Sequence, residues 1–560
     1  MGYRIGLDFG TTNSTLSYID QSGNIETFRY PGPAGTDYIP SCVAFTKNRN
    51  SEVTRIGREA LRVAGSEGTE FYKDMKMVLP RPENERQRLG WGGKKDPEDV
   101  IVEYLKRILL SEKRGDYSFK KEIGNIEGIV VSVPQAWITR QPNHLGRPKL
   151  EKIIKDRLGL PLVQLISEPV AAAAYYGYWH KAEHKRSFKG NILVCDMGGG
   201  TFDVTLCKLD ENRVEVLAND GNGISELGKA GVYFDTKLLQ IAYQRSDKNK
   251  ELQPGTNVFY ELYKRLQEYK VDCAQFITDN IQTATMHPSY SKRLPIIESP
   301  LVCYMHEVEE AFSEVKHGIE NVLRRFLNLN HLEAKEAKGE IISDEDKTHI
   351  DGVILVGGFN EFELTRQTIK KFLVENKKYI TGDLNFIEEV NSRMAAKAIS
   401  FGATLIANDI VHVEEIYPHT VGIVLEWRLI NANEDDEIKL INKKSYIPLI
   451  MGKNKIGKYK APFFHNSYLL AFEPHPRLTI YIKPGSGDNI PVKEIPRTLD
   501  INLPNFKLEN RWQVGMKLDD SQIAYIVFKD EIDNKESPPY ELGNILTEMF
   551  GLDGLILTKD

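Results

Sequence analysis

A chain of 560 residues is too long for one ordinary hydrophobic core, and its length predicts roughly two to four domains. The net charge of −6 argues against a general nucleic-acid binder, and 41% hydrophobic with 27% charged residues is typical of a soluble globular protein. The five scattered cysteines form no C-x-x-C pair, which argues against a zinc site or a disulfide framework and favours reduced thiols. With no leader pattern and no apolar run of ~18 residues, we predict a cytoplasmic protein without membrane association.

Short apolar strands alternate with helical patterns as far as about residue 408, which predicts a layered α/β fold. Strands are predicted at 3–9, at 127–134 and on both sides of a glycine turn within 191–209. Helices are predicted at 149–160, 168–178, 304–329 and 394–409, with a strand–turn–helix unit at 351–373. The polar stretches 80–98 and 278–300 are interpreted as surface insertions.

The pattern changes after Asp409 to period-two alternation broken by Pro, Gly and Asn. This alternation predicts a separate antiparallel β domain without a long helix before about residue 538. A short helix is predicted at 540–550.

Two stretches share one pattern, in which an apolar strand ends at an aspartate and a glycine-rich turn follows. "IGLDFGTTNS" places Asp8 before Gly10 and Thr11, and "LVCDMGGGTFD" places Asp196 before three glycines and Thr201. Glycine lets the backbone approach an anion, and successive N–H groups in a tight turn form an anion site. The matched turns therefore predict a duplicated fold whose two lobes share a phosphate site. Because two carboxylates would repel a triphosphate, we also predict Mg²⁺ there.

A third glycine turn, "VILVGGFNE" at 353–361, follows an apolar strand. Gly357 and Gly358 would allow close approach of a base or a ribose. Strand–Gly-Gly–helix units are also common where the glycines serve only close packing of the chain. In the same way, Asp8 considered alone is compatible with an aspartate that caps a turn.

These motifs, together with "VVSVP" and "ISEPVAAAAYYG", occur in an order and at a spacing that resemble the actin-like ATPase superfamily. Within it the chain resembles the DnaK-like 70-kDa heat-shock chaperones, well over 3–408 and loosely over 414–530. The resemblance implies an α/β actin-like ATPase, two-lobed with a duplicated ribonuclease-H-like fold, followed by a C-terminal antiparallel β-sandwich. The implied divisions are a nucleotide-binding domain at 1–408, a linker at 409–415, a substrate-binding-like β domain at 416–537 and a short helix or tail at 538–560.

The resemblance also implies roles for individual residues. Those implied to act in catalysis are Asp8, Lys76, Glu168, Asp196 and Thr201. Those implied to contact ATP or ADP are Gly10, Thr11, Thr12, Asn13, Gly198, Gly199, Gly200, Thr201, Lys270, Gly357 and Gly358. Asp8, Asp196 and Glu168 would hold Mg²⁺ largely through waters, and Asp203 would support the second loop. Lys76 would position the attacking water, although its local sequence is also compatible with a plain surface lysine.

Two departures from the family pattern concern the nucleotide base and the β domain. Phe359 and Glu361 stand where the base-binding turn of the family carries a serine and an arginine, so the adenine contact must differ. The long helical lid of the family is not matched, so a bound peptide would be less enclosed. A β domain kept for docking or stability is the alternative.

The main functional hypothesis is an ATP-dependent, DnaK-like chaperone without a lid, in which Mg·ATP hydrolysis between two lobes is coupled to peptide affinity. Expected partners are unfolded or extended peptides, with a J-type co-chaperone and a nucleotide exchange factor as further candidates. The alternatives are a nucleotide-gated binding or scaffold protein with little turnover, and a sugar or metabolite kinase of the same superfamily.

Overall fold

The computed structural model describes residues 2–542 outside these positions: 32–36, 49–50, 82, 84–85, 87–90, 92–94, 136, 138–145, 222–228, 247–250, 267–292, 295–302, 388–396, 433–437, 471–472 and 484–491. The chain divides into two compact units, Met1–Val413 and Glu414–Asp560. This division falls inside the predicted linker 409–415, whose exact bounds stay a prediction.

The N-terminal unit contains mixed sheets and helices. Its strands are β1 Gly2–Phe9, β2 Asn13–Ile19, β3 Ile25–Thr27, β4 Ile39–Pro40, β5 Val43–Asn48, β6 Ser51–Ile56, β7 Thr69–Tyr72, β8 Asn125–Val133, β9 Leu162–Ser167, β10 Lys189–Met197, β11 Phe202–Asp210, β12 Arg213–Gly221, β13 Arg293–Leu294, β14 Cys303–Tyr304, β15 Thr348–His349, β16 Gly352–Val356, β17 Ile380–Thr381, β18 Asn385–Phe386 and β19 His412–Glu414. Its helices are α1 Gly57–Val63, α2 Met75–Val78, α3 Pro97–Leu109, α4 Phe119–Glu122, α5 Gly146–Lys152, α6 Glu168–His184, α7 Gly231–Ser246, α8 Met305–Phe326, α9 Leu329–Ala337, α10 Glu363–Glu375 and α11 Ala398–Ala407. A π-helical segment, Ile153–Arg157, continues α5.

Two larger sheets repeat one arrangement of strands. The first has the order β3-β2-β1-β8-β9, with β4 on β2, and the second has the order β18-β16-β10-β11-β12-β19. In each sheet the strand that ends at the predicted aspartate pairs antiparallel with the next strand and parallel with a later one. Asp8 lies opposite Ser132 of β8, and Asp196 lies opposite Val356 of β16. The strand registers therefore place both aspartates at equivalent sheet edges.

Helices α6 and α11 pack against each other, and each also packs on one of the two sheets. A Cβ added to Gly402 of α11 would lie 1.7 Å from the Ala171 carbonyl oxygen of α6, so the two backbones are in direct contact. Helix α6 starts with Pro169 in its first turn, where the missing N–H is not needed, and continues through four alanines. This helix pair joins the two repeated sheets within one unit.

The C-terminal unit is built from antiparallel strands. They are β20 Ile416–Tyr417, β21 Thr420–Ala432, β22 Ile438–Ile450, β23 Asn454–Lys455, β24 Phe463–Leu470, β25 Arg477–Lys483, β26 Lys493–Thr498, β27 Arg511–Leu518, β28 Ala524–Asp530 and β29 Tyr540–Glu541. Two four-stranded sheets have the orders β22-β21-β25-β26 and β24-β27-β28-β29. Within the described part of this unit, one 3₁₀ turn, Ile456–Tyr459, is the longest helical segment. This confirms the predicted antiparallel β region.

The predicted strands and helices before residue 408 are confirmed, with bounds that shift by a few residues. Two predictions need correction. The stretch 80–98 is not wholly a surface insertion, because Trp91 is buried against Tyr72 and α3 begins at Pro97. The helix at 540–550 is wrong at its start, since Tyr540–Glu541 pair with β28; residues 543–550 lie outside the described residues. Most of 278–300 also lies outside them.

Among the described residues, none of the helices combines the length and the apolar character that crossing a membrane would require.

Candidate functional site

The first glycine turn closes directly after β1. A Cβ on Gly10 would lie 2.1 Å from the Asn13 carbonyl oxygen, so this tight turn requires glycine. Asp8, at the end of β1, accepts a hydrogen bond of 2.8 Å from the Ser132 hydroxyl of β8. The parallel strand β8 therefore supplies the neighbour that orients this carboxylate.

The second glycine turn is closed by a backbone bond and leads to a threonine that is held by an aspartate. The Gly198 N–H donates to the Thr201 carbonyl oxygen at 3.3 Å. The Thr201 hydroxyl donates to Oδ2 of Asp203 at 3.0 Å, and Asp203 is fully buried. Asp203 thus lies where the predicted support for the second loop requires it.

The two glycine turns are in contact with each other. A Cβ on Gly199 would lie 2.3 Å from the Thr12 hydroxyl oxygen, and one on Gly200 would lie 2.7 Å from the Thr11 hydroxyl oxygen. The fold therefore brings the two turns together from distant parts of the chain. In this conformation the Thr11 and Thr12 hydroxyl groups lie against the second turn.

A buried ion pair lies beside the two aspartates. Lys76 of α2 is 2% exposed and pairs with Glu168, the first residue of α6. This corrects the alternative interpretation of Lys76 as a surface lysine. Burying a lysine is costly unless it is paired, so packing alone does not explain its position beside these carboxylates.

Burial and neighbouring charges shift the acidity of both aspartates. Burial raises the pKa of Asp8 to about 6; Lys76 opposes this shift and Glu168 adds to it. Burial also holds the pKa of Asp196 well above its ordinary range, and the charges of Glu168, Asp203 and Asp8 raise it further. The site thus collects more acidic than basic side chains, and the raised pKa values of Asp8 and Asp196 mean that these two carboxylates ionise reluctantly.

The excess of carboxylates fits a divalent cation that is bound mainly through water. Oδ2 of Asp196 is buried and has no hydrogen-bond partner in the part of the chain that the structure describes. Within the described residues, however, no three acidic, histidine or cysteine side chains converge closely enough to ligate a metal directly. Carboxylate oxygens such as those of Asp8 and Asp196 are donors suited to Mg²⁺, which commonly keeps several of its waters.

The third turn packs on the second aspartate. Gly357 has φ +86°, and a Cβ there would lie 2.4 Å from Oδ1 of Asp196, so only glycine fits. Gly358 has open space around it. Phe359 turns into the core, where its ring lies 5.5 Å from that of Phe234, so it is not presented to a ligand. Lys270 lies outside the described residues.

Sequence reasoning missed two polar residues near the site. Ser132 lies inside an apolar strand, and only the register of β1 with β8 reveals its contact with Asp8. Arg147 is almost completely buried and donates to the Ser167 hydroxyl at 3.1 Å, one residue before Glu168. Arg147 lies just before the helix predicted at 149–160, and the sequence carries no signal for its burial.

Comparisons with known proteins identify relatives of this chain. The family model described as "Hsp70 protein" matches residues 120–294. The chaperone protein DnaK of Thermotoga petrophila is 26% identical over 448 residues, which cover 79% of this chain and 67% of the relative. DnaK of Thermosipho melanesiensis is 25% identical, with 80% and 67% covered, and chaperone protein dnaK1 of Prochlorococcus marinus is 25% identical, with 67% and 53% covered. The chain is a DnaK-like member of the Hsp70 family.

Proposed function

We propose that this protein is a molecular chaperone that binds and hydrolyses Mg·ATP at the two glycine turns. The proposed architecture is the two-lobed actin-like ATPase fold, followed by a β-sandwich domain. One observation carries the proposal. Two repeated β-hairpins, each with an aspartate near the end of its first strand and a glycine turn after it, meet beside a buried lysine and several carboxylates. Hydrolysis of ATP is the activity for which the Hsp70 family is known.

The two turns would bind the phosphates from opposite sides. Glycine backbones expose N–H groups on both turns, and Thr11, Thr12 and Thr201 add hydroxyl donors. Because Thr12 lies against Gly199 in this conformation, the turns must separate before a phosphate enters. Nucleotide binding would therefore be coupled to a movement of one half of the site against the other.

Bound Mg²⁺ would neutralise the phosphates and the carboxylates. Asp8 and Asp196 would hold the waters around the ion, and Glu168 would hold Lys76 in place. The ammonium of Lys76 donates hydrogen bonds, so it would orient the attacking water rather than accept its proton. Asp203 would fix the orientation of the Thr201 hydroxyl by accepting its hydrogen bond.

The C-terminal unit is the proposed peptide-binding domain. An extended peptide can be held by backbone pairing and side-chain pockets, which antiparallel sheets provide. On the basis of the family, we also propose a J-type co-chaperone and a nucleotide exchange factor as partners. A cytoplasmic location is proposed on the same basis.

Calorimetry with Mg·ATP and Mg·ADP tests the proposal on the full chain. The wild type is expected to bind both nucleotides. Asp196→Asn is expected to lose most of the Mg²⁺-dependent part of the affinity, and Gly199→Ala is expected to weaken binding because its methyl group meets Thr12. Glu309→Gln, a matched charge change at an exposed position of α8, should bind like the wild type. A wild-type protein that binds no nucleoside triphosphate would refute the proposal.

A nucleotide-gated binding protein with little turnover is the second candidate, and the direct contact between the two turns favours it. Phosphate release measured with and without an unfolded peptide separates the two. Turnover that the peptide stimulates supports the chaperone, and tight binding with negligible turnover supports the second candidate. The relatives reported above are chaperones, so the sugar-kinase alternative gains no support from them.

A further inference from the structure

Asn360, in the 3₁₀ turn that follows β16, bridges the ends of two neighbouring strands. Its Nδ2 donates to the Cys195 carbonyl oxygen at 2.8 Å and to the Val356 carbonyl oxygen at 2.5 Å. Both neighbours are carbonyl acceptors, so the nitrogen of the amide must face them. One side chain thus uses both of its N–H groups to join β10 and β16.

The two carbonyl groups lie directly beside the site. Cys195 precedes Asp196 in β10, and Val356 precedes Gly357 in the third turn. Gly357 in turn packs against the carboxylate of Asp196. A shift of β10 relative to β16 would therefore move the Asp196 carboxylate, and Asn360 is the side chain that opposes this shift.

Stability alone does not explain an asparagine at this position. Asn360 is 4% exposed, and its Oδ1 is buried without a hydrogen-bond partner among the described residues. A buried polar atom without a partner destabilises the folded state, whereas an apolar side chain of similar size would bury no such atom. Local departures of this kind are expected at functional sites, where position matters more than stability.

We propose that Asn360 is a positioning residue, which fixes Asp196 for the phosphate chemistry by holding the ends of β10 and β16 in register. The inference rests on the proposed function. Asn360 acts through the backbone on either side of the carboxylate and does not itself contact a ligand. Displacing a reacting group by about 1 Å can cost about 100-fold in rate, so the loss of this bridge should affect turnover more than binding.

Asn360→Leu tests the inference, because leucine keeps the approximate volume and removes both donors. The expected result is a kcat that is reduced at least ~10-fold, with a nucleotide Kd within ~3-fold of the wild type. Hydrogen exchange of the nucleotide-free protein should be faster at 194–200 and 355–361, with little change in the other sheet. If Asn360→Leu does not fold, Asn360→Ser makes the same comparison with a smaller side chain that cannot reach both carbonyl groups.

Thr365→Val is the matched control. Thr365 is also fully buried nearby, and its hydroxyl has no partner among the described residues. Removal of this hydroxyl should leave kcat and the exchange pattern unchanged.

The inference is overturned if folded Asn360→Leu keeps its kcat within ~3-fold of the wild type, or if kcat falls only together with a general loss of protection across the unit. A wild type that binds nucleotide without turnover would instead refute the proposed hydrolysis. Hydrogen exchange at 194–200 and 355–361 then decides, and it should be faster in Asn360→Leu but not in Thr365→Val.

Discussion

The raised pKa of Asp8 predicts that this carboxylate destabilises the nucleotide-free protein above acidic pH. Its pKa is about 6 in the folded protein and about 3.8 for an unperturbed aspartate. Between these two pH values the folded protein binds a proton that the unfolded chain has already released. The free energy of unfolding therefore falls as the pH rises through this window, and it levels off above pH 6.

The magnitude follows from the difference of about 2 pKa units, at about 1.4 kcal/mol for each unit. Asp8 thus contributes up to about 3 kcal/mol of stability below pH 4 that is lost by pH 7. The amide introduced by Asp8→Asn has no proton to lose in this range, so the variant should gain stability relative to the wild type by up to this amount as the pH rises. Relief of the repulsion on Asp196 acts in the same direction. Mg²⁺ with nucleotide favours the ionised carboxylate and should reduce the difference.

Urea unfolding between pH 4.5 and 7.5 measures this difference. The helical signal in circular dichroism reports on the N-terminal unit, because the described α-helices all lie there. Other titrating groups are common to both proteins and largely cancel in the comparison. Glu309→Gln, which removes an exposed carboxylate on α8, controls for the change in net charge. The reasoning is refuted if the wild type and Asp8→Asn show parallel profiles, or if the wild type gains stability relative to the variant as the pH rises.

Two further comparisons between variants test the packing around the site. Gly402→Ala should destabilise the N-terminal unit by at least ~2 kcal/mol, because its methyl group would overlap the Ala171 carbonyl of α6. Gly177→Ala within α6 introduces a methyl group that meets only ordinary contacts, so this variant should be neutral or stabilising by up to ~1 kcal/mol. Equal effects of these two substitutions in urea unfolding would contradict the close helix contact. Lys76→Met should lower the free energy of unfolding by about 3–5 kcal/mol, because it leaves Glu168 buried without its partner. The double variant with Glu168→Met should recover most of this lost stability. A double variant no more stable than Lys76→Met would show that the two residues are not coupled.

The sequence was sufficient to predict the features that local patterns encode. An apolar strand followed by Asp8 or Asp196 and a glycine turn is a signal within about ten residues, and the fold places both as predicted. The burial of Trp91 and the contact between Ser132 and Asp8 depend on pairing between distant segments, which periodicity does not reveal. Asn360 was visible in the motif, but its role requires the two carbonyl groups that only the parallel pairing brings together.

The position of the turns also indicates which part of a nucleotide would move the two halves of the site. Thr11 and Thr12 follow a strand of the first sheet, whereas Gly199 and the third turn at Gly357 follow strands of the second. Among the described residues, a base or ribose at the third turn would therefore contact the second half alone. Phosphates between the first two turns would contact both halves, and only a ligand with different affinity for the open and closed arrangements can shift the balance between them. The phosphates, rather than the base, would thus carry the coupling, and a different adenine contact at the third turn, where Phe359 is buried, would be compatible with a functional switch.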